Sequence, residues 1–252
     1  MSAILLSGAT AVEVAHLVRN GRLKGLAPVC RVETADHVVA LSFDDGPDAS
    51  FTPRALDLLT SFKARATFFV IGRRAMMSPQ LIRKVTASGM EIANHTWSHP
   101  HLETLTVAQT ANEIRKAEQL LDRQGAEAHL FRAPFGRISA KQLDEVTRLG
   151  LTPIHWSLAP DRFVGDKGLN AQKAAEDLNS VLRPGDIILA HDSPGPQPQR
   201  RDRALTALRL LLSRLQEREF KVTTVSDLLG MGRPVHGKPK SWFWQKGFVC
   251  PT

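Results

Sequence analysis

Cysteine is scarce in this chain of 252 residues, which has only Cys30 and Cys250. The two can pair or both stay free, and they are too few for the disulfide framework of a small secreted domain. No apolar run approaches the ~18 residues of a membrane-spanning helix, and the sequence has no internal repeat and no domain linker. These absences predict one globular domain without a membrane span.

The first 22 residues, MSAILLSGATAVEVAHLVRNGR, lack the basic start of a secretory signal peptide and become charged early. Their pattern favours an amphipathic helix. We therefore divide the chain into a helical N-terminal extension packed on the domain (1–36), a main domain (37–230) and a basic C-terminal tail (231–252). Without a convincing signal peptide, the expected location is the cytoplasm.

The formal net charge is +8 and the pI is about 9.9. This balance suits anionic partners such as nucleic acid, cell wall polymers or acidic lipid. The basic residues are spread along the chain, however, and no long basic block occurs. We interpret the charge as an ordinary solvated surface and expect no nucleic-acid partner. The sequence leaves the oligomeric state open.

Short apolar runs alternate with helical patterns along the chain. The strand-like runs are HVVALSF, ATFFVI, MEIANH, HLFRAP, LTPIHWS, DIILAH and FKVTTV. Near-continuous apolar strands are typical of a parallel sheet that is covered on both faces. The pattern predicts an α/β fold of about seven parallel strands, either open or closed into a barrel.

Local signals mark the ends of the intervening helices. The start signals are Thr52-Pro53 and Ser78-Pro79, with capping-box spacing at Thr106/Gln109 and Ser139/Gln142. Glycine is expected just beyond a helix, and the stop signals are Gly89, Gly125 and Gly150.

Chemically reactive side chains fall where the predicted strands end. Asp44 and Asp45 end the first run, His95 the third, and His191 the sixth, while Arg132 lies in the fourth. In parallel α/β folds, ligands bind at the carboxyl ends of the strands. These residues therefore form a candidate functional site.

His95 and His99 indicate a metal site. If their segment is helical, residues four apart share one face. Imidazole nitrogen suits zinc, and a carboxylate can supply a third ligand, which leaves the open position of a catalytic site. The spacing alone is a weak signal, but the Asp44-Asp45 pair strengthens it. In an extended strand these aspartates point in opposite directions, so we predict one towards the metal and the other towards the substrate.

Four motifs in order, LSFDDGP, NHTWSH, RAPFG and ILAH, resemble those of the polysaccharide deacetylase family (NodB-homology or chitin deacetylase-like, carbohydrate esterase family 4). The resemblance extends from about Val38 to about Leu229. Each motif alone is moderately specific, and the four in this order are highly specific. The resemblance implies a distorted (β/α) barrel of about seven parallel strands as a single domain.

The resemblance also implies roles for individual residues. A divalent metal is implied, most commonly Zn²⁺ with Co²⁺ or another ion possible, bound by Asp45, His95 and His99. The other implied roles are general base (Asp44), orientation of that base (Arg132), oxyanion stabilisation by a backbone N–H (Phe135), the acetyl-methyl pocket (Leu189) and general acid (His191).

One departure concerns a family motif in which an Asp-Trp pair tunes the acid histidine. This chain reads WSLAPDRF at that place, so Asp161 and Phe163 could supply the carboxylate and the aromatic ring, but they are not adjacent. Pro134, Trp156 and Asp161 complete the predicted substrate-binding residues, although core packing is an equal alternative for Trp156.

Two further residues near His95 and His99 are not expected to bind the metal. Thr96 is expected to fix the loop by hydrogen bonding, and His101 to be a surface histidine near the mouth of the site.

The sequence therefore predicts a metal-dependent enzyme that removes N-acetyl groups from glycans containing N-acetylglucosamine. A first alternative is a metal-dependent hydrolase of a small non-glycan amide. A second is a non-catalytic glycan-binding or nucleic-acid-binding barrel. Inactive relatives of enzymes usually lose ligands or the base. This chain retains all of them, which argues against the second alternative; the retained residues are Asp44, Asp45, His95, His99, Arg132 and His191.

Overall fold

The computed structural model describes residues 27–159, 181–193, 198–237 and 250. Its main feature is a sheet of seven parallel strands, as predicted. The strands are β2 Val38–Asp44, β3 Ala66–Val70, β4 Glu91–Asn94, β5 Leu130–Phe131, β6 Thr152–Pro153, β7 Ile187–His191 and β8 Lys221–Thr223. Their order is β6-β5-β4-β3-β2-β7, and β8 pairs with the first half of β2. A parallel bridge between Leu158 and Ile188 joins the chain after β6 to β7 and so curls the sheet into a distorted (β/α) barrel.

Helices surround this sheet. They are α1 Thr52–Ser61, α2 Gly72–Met77, α3 Pro79–Ala87, α4 Val107–Arg123, α5 Ala140–Arg148, α6 Pro198–Glu217 and α7 Val225–Leu229. None of the described helices is long and apolar enough to cross a membrane.

Both faces of the sheet are buried, which explains the continuous apolar runs. In β2, Val39, Leu41 and Phe43 join the core that contains side chains from α1, α3 and α6. Val38 and Ala40 join a second core that includes Val29, Val32 and residues of α7. Successive side chains of a strand point to opposite faces, so every position of β2 must be compatible with burial.

The predicted helix signals are confirmed except at the two proline starts. Ser78 lies at the N-cap position of α3, before Pro79, but its side chain makes no capping hydrogen bond. Thr106 and Ser139 both form complete capping boxes, and the three predicted glycines follow their helices with positive φ. Thr52 is not a cap, because α1 already begins there and Phe51 occupies the N-cap position. The Thr52 hydroxyl instead accepts a hydrogen bond from the Asp48 N–H and donates one to Asp192.

The chain segments that flank the barrel pair with each other. Strand β1 (Val29–Glu33) lies antiparallel to β9 (Arg233–His236). The predicted helical extension therefore does not reach Val29–Glu33, which is extended, while residues 1–26 lie outside the described residues. Cys30 and Cys250 form a disulfide.

Candidate active site

The first part of the site is the end of β2. Asp44 is the last residue of the strand and is buried, with 4% exposure. Asp45 follows with φ 76°, a left-handed backbone that turns the chain out of the strand. The prediction that the two side chains point in opposite directions is therefore wrong. Both carboxylates face His95, with Nε2 3.8 Å from Asp44 Oδ2 and 3.5 Å from Asp45 Oδ1.

The histidines lie on a loop after β4 that is not helical. Thr96 and His99 both have left-handed backbones, with φ of 68° and 60°. Side-chain hydrogen bonds hold this path: the Thr96 N–H donates to Asn94 Oδ1 at 2.8 Å, and the His99 N–H donates to Thr96 Oγ1 at 3.1 Å. The interpretation of Thr96 as a loop-fixing residue fits these contacts. The convergence of His95 and His99 comes from this loop and not from a helix face.

Asp45, His95 and His99 form a set of three possible metal ligands. Their ligand atoms all lie within 4.8 Å of one another, and His99 Nε2 is 3.0 Å from Asp45 Oδ1. The Nδ1 of His95 is 2.7 Å from the Arg132 carbonyl oxygen. If Nδ1 carries the proton, this bond turns the Nε2 lone pair towards the two carboxylates, as is usual for metal-binding histidine. One carboxylate and two imidazoles fit a divalent metal such as zinc.

The charges of this cluster favour a cation. Burial lowers the pKa of His95, but the nearby Asp44 and Asp45 carboxylates outweigh it, and the pKa lies above its usual value. Burial opposes ionisation of Asp45 as well, yet hydrogen bonds from His95 and His99 hold the pKa of Asp45 well below its usual range. The site thus attracts positive charge. Because a metal and protons compete for the same imidazole and carboxylate groups, metal binding weakens as the pH falls.

Arg132 fixes the orientation of Asp44. The guanidinium is fully buried and lies 4.0 Å from the centre of the Phe69 ring. Its Nη1 donates to Asp44 Oδ1 at 2.7 Å and to Ser42 Oγ at 2.9 Å, and its Nη2 donates to the His155 carbonyl at 3.0 Å. Burial lowers the pKa of Arg132 while the Asp44 carboxylate raises it, and the net direction is down. Asp44 is therefore held by Oδ1, which leaves Oδ2 on the side of His95.

These residues open into a cavity of about 430 Å³. Its lining residues are Asp44, Asp45, His95, His99, His101, Phe135, Gly136, Arg137, Trp156, Leu189 and His191. Trp156 was predicted either to line the substrate site or to pack in the core. It lines the cavity and also packs against the core. Pro134 is buried at the start of the turn Pro134–Gly136, behind the lining residues Phe135 and Gly136. Asp161 and Phe163 lie outside the described residues.

The mouth of the cavity has a rim of side-chain contacts that the sequence did not predict, and Glu103 and Arg137 are the new residues in it. The His101 ring stacks on the Phe135 ring, with centroids 4.1 Å apart and an interplanar angle of 8°. Glu103 Oε1 lies 3.3 Å from His101 Nδ1 and accepts from Arg137 Nη1 at 3.2 Å. His101 is near the mouth, as expected, but it is part of an ordered rim. In the sequence, His101 is distinguished only by its position two residues after His99. That position does not predict stacking on the Phe135 ring.

Asp192 is a buried carboxyl beside the site, with 1% exposure. Its pKa is raised to about 7, mainly by burial, and the negative charges of Asp45 and Asp48 add to the effect. The hydrogen bond from Thr52 Oγ1 at 2.7 Å opposes the shift but does not cancel it. Because the unfolded carboxyl ionises near its ordinary pKa of 3.8, folding becomes less favourable as the pH rises from about 4 towards 7.

Asp192→Asn is expected to stabilise the metal-free protein at pH 8 by on the order of a few kcal/mol, since each pKa unit corresponds to ~1.4 kcal/mol. The amide oxygen can still accept from Thr52, so little change is expected near pH 4. The measurement is the thermal unfolding midpoint with chelator at both pH values. Asp57→Asn, on the exposed surface of α1, is the matched control. An equal shift at both pH values would show that the buried charge is not responsible.

Comparisons with known proteins identify related chains. The family model described as polysaccharide deacetylase matches residues 31–154. A chitooligosaccharide deacetylase of Sinorhizobium fredii is 36% identical over 212 residues, covering 81% of this chain and 97% of the relative. A peptidoglycan-N-acetylglucosamine deacetylase of Bacillus cereus is 32% identical over 199 residues, covering 79% and 91%. Among solved structures, the Bc1960 peptidoglycan N-acetylglucosamine deacetylase has a TM-score of 0.74 at 30% identity, covering 81% of this chain and 92% of its own.

Proposed function

The chain belongs to the polysaccharide deacetylase family, and from this premise we propose that it removes N-acetyl groups from glycans containing N-acetylglucosamine. The reaction adds water across the amide C–N bond and yields acetate and a free amino sugar. The observation that carries the proposal is the convergence of the Asp45-His95-His99 set with the Arg132-bound carboxylate of Asp44 in one cavity.

Zn²⁺ is the metal that we propose for Asp45, His95 and His99, although Co²⁺ or another divalent ion is compatible with the same ligands. A bound divalent metal supplies an acidified water and polarises the acetamide carbonyl. Three protein ligands leave a position open to the cavity, as in catalytic rather than structural zinc sites.

Asp44 is the proposed general base. Its Oδ1 is engaged by Arg132, so Oδ2 is the oxygen that can take a proton on the cavity side. The guanidinium lies 2.7 Å from Oδ1 and holds the carboxylate in one orientation. Arg132 is itself held by Ser42 and the His155 carbonyl, so the base has a fixed orientation before substrate binds.

His191, at the end of β7, is the proposed general acid that protonates the leaving amine. The register of the sheet pairs it with Asp44 across adjacent parallel strands, so the acid and the base lie at the same edge. Leu189, two residues earlier, is buried and lines the cavity, where it suits the acetyl methyl group. The Phe135 backbone N–H is proposed to stabilise the oxyanion.

The disulfide informs the choice of glycan. Bonds such as Cys30–Cys250 persist in oxidising compartments and are rare in the reducing cytosol. This supports the proposal that the substrate lies outside the cytosol, in place of the cytoplasmic location that the sequence suggested. Peptidoglycan is the named substrate of the Bacillus cereus relative and is a glycan of this kind.

A substrate panel tests the proposed function. Acetate and free amine are measured for chitotetraose, peptidoglycan fragments, monomeric N-acetylglucosamine and simple acetamides. We expect equal yields of both products, and at least about tenfold higher kcat/KM for the oligomers, because sugars beyond the reacting one contribute binding energy. Faster hydrolysis of simple acetamides than of any glycan would favour the small-amide alternative. Tight glycan binding without turnover would favour the non-catalytic alternative.

A further inference from the structure

We propose that Arg74 is a positioning residue for the metal centre, and this inference rests on the proposed function of that centre. Arg74 lies in α2, and neither the motifs nor the cavity lining include it. Its Nη1 donates to the backbone carbonyl of Asp45 at 2.7 Å and also to the hydroxyl of Ser193. One guanidinium thus links the metal-ligand loop after β2 to the loop that follows the proposed acid His191.

The corner between β3 and α2 makes further bonds to the same loops. The Ile71 N–H donates to the Gly46 carbonyl at 2.9 Å, and the Gly72 N–H donates to the Thr96 carbonyl at 2.9 Å. The Arg73 N–H donates to the Trp97 carbonyl at 3.0 Å. Arg74 is therefore the side-chain part of a short segment that holds both ligand loops against each other.

Asp45 needs such support because of its backbone. Its φ of 76° lies in the left-handed region, which aspartate adopts less readily than glycine. Strained conformations persist where the surroundings over-determine them. The bond from Arg74 fixes the peptide that follows Asp45, and with it the direction in which the carboxylate leaves the chain. The positive charge of the guanidinium also lies at a loop that carries negative carboxylates.

The experiment compares Arg74→Met with Arg73→Met. Arg73 is the exposed neighbour on the same helix, and its contact to Trp97 uses the backbone, so the control removes equal charge and keeps every bond described above. Metal affinity is measured by chelator competition with Zn²⁺, and acetate release from chitotetraose is measured at saturating metal. Unfolding midpoints with chelator report any general loss of stability.

We expect Arg74→Met to weaken Zn²⁺ binding about 10- to 100-fold, the usual effect of removing a group that orients a ligand. At saturating metal, kcat should fall while KM stays close to wild type, and the metal-free unfolding midpoint should match that of Arg73→Met. Arg74→Lys should recover part of the affinity, because an ammonium can still reach one acceptor. If Arg74→Met does not fold, the Zn²⁺ affinities of Arg74→Lys and Ser193→Ala are compared with that of Arg73→Met instead.

Unchanged Zn²⁺ affinity in Arg74→Met, or equal weakening in Arg73→Met, would overturn the inference. Failure of the proposed function has a different signature: wild type would bind Zn²⁺ and release no acetate, and the affinity comparison would still decide the role of Arg74. A wild type without Zn²⁺ affinity would overturn both.

Discussion

Asp44→Asn is expected to lower acetate release by about 10²- to 10⁴-fold, the usual contribution of a general base. The amide is nearly isosteric with the carboxylate, so the geometry around Arg132 is retained, but it cannot accept a proton from water. Because Asp44 is not among the three proposed ligands, Zn²⁺ affinity should change much less than activity. The measurements are kcat/KM on chitotetraose and Zn²⁺ affinity by chelator competition.

The same substitution should also destabilise the fold, because Arg132 would remain buried without its anion. Breaking a buried ion pair costs about 3–5 kcal/mol, and an amide that still accepts a hydrogen bond reduces this cost. Activity must therefore be measured well below the unfolding midpoint. Asp57→Asn, which removes an exposed carboxylate from α1, should retain full activity. Acetate release by Asp44→Asn at the wild-type rate would contradict the assignment of the base.

His99→Asn is expected to weaken Zn²⁺ binding by at least about 100-fold, more than is typical for a group that only orients a ligand. Asparagine is chosen because it tolerates the left-handed backbone at this position better than alanine does. Its shorter amide lacks the imidazole Nε2 that lies 3.0 Å from Asp45 Oδ1. Acetate release at limiting Zn²⁺ should fall in parallel.

His101→Asn is the matched control, since this histidine lies two residues further on and lines the same cavity. It contacts Phe135 and Glu103 rather than the ligand set, so Zn²⁺ affinity should stay within about threefold of wild type. An equal loss of affinity in both variants would indicate general disruption of the loop. Unchanged affinity in His99→Asn would remove this residue from the metal site.

The fold could be predicted largely from local patterns. Strand β2 is apolar at every position because both of its faces are buried, and this makes a parallel strand visible in the sequence. Capping boxes at Thr106 and Ser139 depend on side chains three residues apart, so they too can be predicted locally. The pairing of β1 with β9 joins residues about 200 positions apart, and no local signal marks it.

The candidate site was predictable in membership but not in geometry. The motifs identified Asp45, His95 and His99, which the structure brings within reach of one ion. Their convergence depends on left-handed backbones at Asp45 and Thr96. Arg74 donates to the Asp45 carbonyl from 29 residues away, and the Thr96 N–H donates to the Asn94 side chain, and neither bond can be predicted from residue type. For this reason the prediction of opposed aspartates was wrong, and the helical arrangement considered for the histidine pair does not occur.

The supporting residues were less predictable than the site itself. The sequence around Arg74 does not distinguish it from other arginines. Its proposed role follows from hydrogen bonds to Asp45 and Ser193, which are 29 and 119 residues away in sequence. Asp192 follows His191 directly, but its raised pKa depends on burial that a sequence does not show. Such residues are determined by tertiary contacts, and a structure is needed to find them.

The most direct test of metal-dependent deacetylation is a Zn²⁺ titration of metal-stripped wild type, with acetate release from chitotetraose as the signal. We expect no release from the stripped protein and a rate that rises with Zn²⁺ until one ion is bound per chain. Asp44→Asn should bind the same single ion and stay inactive. Acetate release that is independent of metal, or a fully active Asp44→Asn protein, would disprove the proposed mechanism.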